Sequence, residues 1–151
     1  MKESLHDARN ELKRVDHQIY VSLKYTRTVD VLMNTINRMI DAYNCLIDSL
    51  LKYAVEKNLR PAEHIPTTPL ERGNLVKELF QEEIVQRNME LYFLLRKIVK
   101  TEPKKEQEFR RHVTLRTIVE GEEVTIDIDK ATEYYNQIKE FYEWVERKIN
   151  E

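Results

Sequence analysis

The densest concentration of side chains that could do chemistry lies between Arg96 and His112. Arg96, Lys97, Lys100, Lys104, Lys105, Arg110 and Arg111 give this stretch seven cations against three acids, Glu102, Glu106 and Glu108. Elsewhere the balance differs: residues 1–28 carry six cations against four acids, 29–95 seven against ten, and 113–151 five against ten. The formal net charge of −2 therefore conceals a basic island followed by an acidic tail. An island of one sign steers ligands of the other. On a helix Arg96 and Lys100 share a face, and Arg110, Arg111 and His112 follow on the approach to a hairpin. Guanidinium forks match phosphate oxygens, and clustered cations are the footprint of nucleotide or nucleic-acid binding. The candidate binding set is thus Arg96, Lys97, Lys100, Arg110, Arg111 and His112. The competing reading is a solvated face balanced by acids elsewhere in the fold.

Other chemistry has little to stand on. Gly73 and Gly121 are the only glycines, so the chain holds neither a phosphate-cradling loop nor a dinucleotide fingerprint. His6, His17, His64 and His112 are dispersed and none has a second His at helical spacing, so no metal site and no cofactor are expected. Cys45 precedes the core position Leu46 and reads as a small, partly buried side chain rather than a reactive thiol. Asp41 and Asp48 share a helix face, and Glu78, Glu82 and Glu83 cluster further on. Carboxylate-bridged metal sites in bundles draw a Glu-x-x-His pair from each of two helices, whereas this chain has one, Glu3 with His6. These acids read as solvated helix faces. No residue is singled out as a nucleophile, and catalysis is not expected.

The elements that must position the basic island are legible from spacing. Between Val29 and Ala54 apolar residues recur in a seven-residue frame: Val29, Ile36, Tyr43 and Leu50; Leu32, Met39, Leu46 and Tyr53; Met33, Ile40, Ile47 and Ala54. That stripe is as wide as a helix packed on a globular core requires. Its polar face carries Asn34, Asn37, Arg38, Asp41, Asn44 and Asp48, and Asn58-Leu59-Arg60-Pro61 ends it. Upstream, Leu5, Ala8, Leu12, Val15, Ile19 and Leu23 form another amphipathic stripe. One helix over residues 3–58 would run about 84 Å, too long for a compact domain, so a break is expected near Tyr25 to Thr28, with Thr26 or Thr28 as cap. Thr68-Pro69-Leu70-Glu71 has the cap, the proline and the acid of a helix start. The helix following it carries Leu75, Val76, Leu79, Phe80, Ile84, Leu91, Leu94, Leu95 and Ile98, with an interruption at Gln81-Glu82-Glu83. Glu102-Pro103 closes this region, and a short charged helix from Lys104 to about Arg110 is expected next.

Val113 to Ile128 alternates as strands do, with Glu120-Gly121-Glu122-Glu123 between the two halves, which predicts a β-hairpin. Asp129 then caps a last helix, whose buried side is Ala131, Tyr134, Tyr135, Ile138, Phe141, Tyr142, Val145 and Ile149. The expected fold class is mainly α: an up-and-down helical bundle with one β-hairpin before the last helix. At 151 residues, with 41% apolar and 34% charged residues, a single domain over residues 1–151 suffices to bury one core. The opening residues lack the apolar stretch of a secretion signal, and a lone cysteine forms no internal disulfide, which point to a reducing cytoplasm. The longest uninterrupted apolar run, Leu91 to Leu95, is far short of a membrane span.

With the elements placed, their order resembles the higher-eukaryote and prokaryote nucleotide-binding (HEPN) family. The parts that carry the resemblance are the helix ending in Leu50-Leu51-Lys52-Tyr53-Ala54, the segment Asn74-Leu75-Val76-Lys77-Glu78-Leu79-Phe80, and the last helix from Tyr134 to Ile149. The resemblance implies an up-and-down bundle, a homo-oligomer, and either ribonuclease activity or partnership with a minimal nucleotidyltransferase. Ribonuclease members carry an Arg followed by His after four to six intervening residues. Here three residues separate Arg60 from His64 and seven separate Arg9 from His17, while Arg110 and Arg111 stand too close to His112. The functional expectation is therefore a non-catalytic module binding nucleotide or RNA through Arg96 to His112. The alternative is a structural or interaction protein whose aromatic last helix packs against a partner subunit.

Overall fold

Thr28 marks where one helical rod ends and the next begins. Its backbone is extended, with φ −122° and ψ 157°, and its hydroxyl accepts the Val31 N–H at 3.2 Å. The structure, a computed structural model, describes residues 1–25, 28–106 and 113–151. Its elements are α1 (Lys2–His17), a π-helical turn (Gln18–Ser22), α2 (Leu23–Tyr25), α3 (Val29–Glu56), a 3-10 turn (Ala62–His64), α4 (Pro69–Leu79) and α5 (Glu83–Ile98). Strands β1 (Lys104–Glu106), β2 (Thr114–Val119) and β3 (Glu122–Ile126) follow, and α6 (Ile128–Ile149) closes the chain.

The first rod widens where α1 gives way to the π-helical turn, and the Leu23 N–H reaches back five residues to the Gln18 carbonyl. A π turn holds more residues than an α turn. The successive four-residue steps from Val15 to Ile19 to Leu23 keep those three side chains buried, while Tyr20, Val21 and Tyr25 turn outward.

Helix α3 is enclosed on more sides than its seven-residue frame indicates. Besides that frame, in which only Met33 stays half-buried, Thr35, Ala42 and Ser49 form a further buried row and Leu51 is covered. The buried hydroxyls are satisfied: Thr35 donates to the Val31 carbonyl and Ser49 to the Met1 carbonyl, each at 2.8 Å. Asn58 at φ 59° ends this region, with Leu59 N–H donating to Ala54 O at 2.8 Å and Asn58 N–H to Val55 O at 3.1 Å. That is a Schellman termination, with Asn in the place glycine usually takes. The Thr68 cap and Pro69 open α4 as their chemistry requires. Between α4 and α5 the chain is extended at Phe80, and the Gln86 amide donates to the carbonyls of Lys77 at 2.9 Å and Phe80 at 3.0 Å.

Three findings correct the expectations. Lys104–Glu106 is a strand, not the start of a charged helix: its backbone pairs antiparallel along the edge of β2, whose N–H and C=O groups a helix there would leave without those partners. The remainder of that expected helix lies outside the described residues. The sheet consequently has the order β1-β2-β3, antiparallel throughout. The hairpin loop is also tighter than four residues, because Val119 pairs with Glu122 and only Glu120, at φ 51°, and Gly121, at φ 84°, lie outside the ladder. Both positive angles are what a two-residue turn of matching twist demands. Finally, Asp127 rather than Asp129 caps α6, accepting the Lys130 N–H at 2.7 Å.

One hydrophobic core joins α1, α3, α4, α5, β2, β3 and α6. The aromatic stripe of α6 is spent inside it, with Tyr134, Tyr135 and Phe141 buried. At its centre Tyr43 donates to Asn88 Oδ1 at 2.7 Å, Tyr92 donates to Asn44 Oδ1 at 2.6 Å, and the Asn88 amide donates to the Ile84 carbonyl at 2.7 Å. The Tyr43 ring meets Tyr92 edge-on at 5.7 Å. Asn88→Ala leaves the buried Tyr43 hydroxyl without an acceptor and opens a cavity, and should cost about 2–4 kcal/mol of unfolding free energy. Chemical denaturation of Asn88→Ala, Tyr43→Phe and the double variant checks this: adding Tyr43→Phe to Asn88→Ala should recover part of the loss.

Candidate functional site

Two of the six candidate residues occupy the last turns of α5 and a third follows just after it. Cations at a helix C-terminus oppose its unpaired carbonyls, so their placement has a structural rationale as well. The Arg96 guanidinium lies 5.6 Å from the centre of the Tyr92 ring. Lys97 Nζ is 2.7 Å from Glu120 Oε1 at the hairpin tip. Lys100 is exposed in the turn that leaves the helix. Thr117 Oγ1 on β2 donates to Thr101 Oγ1 at 2.5 Å, and Thr101 donates in turn to the Ile98 carbonyl at 2.7 Å. Those two hydroxyls fasten the end of α5 to the sheet.

Strand β1 then returns the chain beside β2, pairing Lys104 with Arg116 and Lys105 with Leu115. The register gathers the basic positions 104, 105 and 116 on the sheet, next to the helix end carrying Arg96, Lys97 and Lys100. Arg110, Arg111 and His112 lie outside the described residues. Arg116 was missed as a candidate although its signal was present: alternation sets it opposite the buried Leu115 and Thr117, on the exposed side with Ile118. Nothing local marked Glu120 as the partner of Lys97, because the hairpin must fold over α5 before the two meet.

A second polar cleft, of about 400 Å³, is lined by Ser4, Asn44, Cys45, Asp48, Arg72 and Tyr92 among others. Asp48 is not a solvated acid, which corrects the sequence reading. Its Oδ1 meets Arg72 Nη2 at 3.0 Å, its Oδ2 meets Lys52 Nζ at 2.9 Å, and the Ser4 hydroxyl donates to Oδ2 as well. Burial pushes the Asp48 pKa up, but the hydrogen bonds from Lys52 and Ser4 and the charges of Lys52 and Arg72 outweigh it, and the net pKa is lowered. Burial, followed by the charges of Asp7, Glu11, Asp41 and Asp48, pushes the neighbouring Cys45 thiol up to about 11, so it stays protonated at neutral pH. Glu78 pairs with Arg60 at 3.2 Å on the surface.

Among the described residues no group of three or more His, Cys, Asp or Glu side chains is placed to hold a metal ion, and no helix is long and apolar enough to cross a membrane. Comparison with protein-family models, with curated proteins and with solved structures finds no match.

The Asp48 cluster makes a pH prediction. Because the folded pKa lies below the unfolded value of about 3.9, its stabilisation is complete above that pH and is lost as pH falls through the folded value. Melting temperature should drop on acidification below about pH 4. Asp48→Asn should lower stability at pH 7 by about 1 kcal/mol and flatten part of that acid limb, as thermal melts from pH 2 to 7 would show.

Proposed function

We propose that this chain is a non-catalytic module that binds RNA or nucleotide phosphates where the end of α5 meets β1 and β2. The observation that carries this reading is the β1–β2 register, which sets Lys104 and Lys105 beside Arg116 and Leu115. Basic positions spread over some twenty residues of sequence thereby lie on adjacent backbone segments, with Lys104 paired directly with Arg116. Flexible lysines neutralise phosphates as point charges, and arginine adds a planar fork. Ile118 is 63% exposed on the Arg116 side of β2 and offers an apolar contact beside the charges. The HEPN-like order of the helices supports the same reading and suggests association with a nucleotidyltransferase-type protein.

Phosphate binding of this kind releases counterions, so it must weaken with salt. Fluorescence anisotropy with a short single-stranded RNA should give a binding constant whose logarithm falls linearly with the logarithm of salt, at about −0.7 per phosphate contact. Replacing Lys100, Arg110 and Arg111 together with Ala should lower affinity and flatten the slope, and a thermal melt of the same variant separates contact from folding. No binding by the wild type at low salt, or an unchanged slope in the triple variant, would favour the interaction-protein reading instead.

A further inference from the structure

Strand β3 ends the sheet, and among the described residues no strand lies along its outer edge. The turn decides which backbone groups stand there. With two residues in the loop, the closing pair Val119–Glu122 is hydrogen-bonded and antiparallel pairs alternate from it, so Thr117–Val124 and Leu115–Ile126 are bonded as well. Glu123 and Thr125 therefore direct their N–H and C=O groups away from β2. No other described residue takes them. Such an edge accepts a further strand unless something blunts it, and β3 has neither a proline nor a bulge, only the charges of Glu122 and Glu123.

Between the hairpin and α5 lies a groove of about 370 Å³, which β3 borders through Glu122 and Val124. Its apolar walls are Phe93 and Leu94 of α5 with Val119 and Val124 of the hairpin, all half-buried. Lys97 is the one cation among the described residues that line it, and its Nζ already meets Glu120 at 2.7 Å. Glu90 and Glu122 at the groove and Glu123 on the opposite face of β3 are exposed and have no ion-pair partner among the described residues. The uncompensated charge along this edge is negative. Nucleic acid is repelled from it, and pairing β3 with its own copy gathers Glu122 and Glu123 of both chains, like charge against like. An extended chain carrying cations meets neither obstacle.

We propose that β3 is a docking edge for an extended, basic peptide segment of another protein, which adds to the sheet as a fourth strand. The backbone of that segment bonds Glu123 and Thr125, and alternate apolar side chains enter the groove beside Val124. Its Lys and Arg side chains face Glu123 on one side of the sheet and Glu90 and Glu122 on the other. The proposal does not rest on RNA binding.

Fluorescence anisotropy with two labelled, end-capped peptides tests it. The first is Lys-Val-Arg-Val-Lys-Val-Arg; the second has the same sequence with its interior amide nitrogens methylated, which keeps every side chain and charge but removes the donors a strand needs. The first should bind saturably, with amide shifts at residues 122–126, and the second at least about ten-fold more weakly. Glu122→Lys with Glu123→Lys should weaken the first peptide by at least about ten-fold through like-charge repulsion. Thr125→Pro should weaken it too, because it deletes an edge N–H that makes no bond to β2. Circular dichroism melts verify that the variants fold, and the methylated peptide leaves the protein itself untouched. Three outcomes would overturn the proposal: no binding of the first peptide at millimolar concentration, equal binding of both peptides, or unchanged affinity in the folded charge-reversed variant.

Discussion

The structure turns on two reciprocal tyrosine–asparagine pairs between α3 and α5. Tyr43 on α3 donates to Asn88 on α5, and Tyr92, one turn further along α5, donates back to Asn44. Tyr43 and Asn88 have no measurable exposure, so any slide or rotation of α5 on α3 would strand polar groups where water cannot reach them. Burial pushes the Tyr43 pKa well up, which keeps its phenol a donor. Apolar ridges alone tolerate small shifts; these bonds admit one register. From that register the rest of the basic region follows, because α5 ends at Ile98, Thr101 fixes the sheet through Thr117, and the sheet aligns β1 with β2.

Asp48 performs a similar task one turn beyond Asn44 on the same face of α3. It holds Ser4 of α1 and Arg72 of α4 at once, while Ser49 accepts the start of the chain by donating to the Met1 carbonyl. The first and fourth helices are thus fastened to α3 by polar contacts at the edge of the core. Lys97 and Glu120 differ in kind: both are about half exposed or more, so water and salt screen their attraction and the pair can open to a competing anion at little cost.

What the sequence revealed was whatever depends on local chemistry. The frame of α3, the Thr28 and Thr68 caps and the glycine turn at Gly121 each follow from a few neighbouring residues. The π-helical turn was invisible because the steps from Val15 to Ile19 to Leu23 suit an ordinary helix equally well. Strand β1 was missed because three residues, Lys104 to Glu106, carry no alternation of their own and become a strand only by pairing with β2. Asp127 and Asp129 are equivalent as caps, and the end of β3 decides between them. For the site, composition disclosed Arg96, Lys97 and Lys100, but Arg116 joins them only through sheet register. Asp48 appeared solvated until α1 and α4 were docked around it.

Titration of isotopically labelled protein with a short single-stranded RNA, followed by amide chemical shifts, tests the central claim most directly. The account predicts that shifts concentrate at the end of α5, from Arg96 to Lys105, and along β2 near Arg116, while the buried centre of α3 around Tyr43 stays still. Shifts confined to helices away from the end of α5 and the sheet, or none at any RNA concentration at low salt, would contradict it.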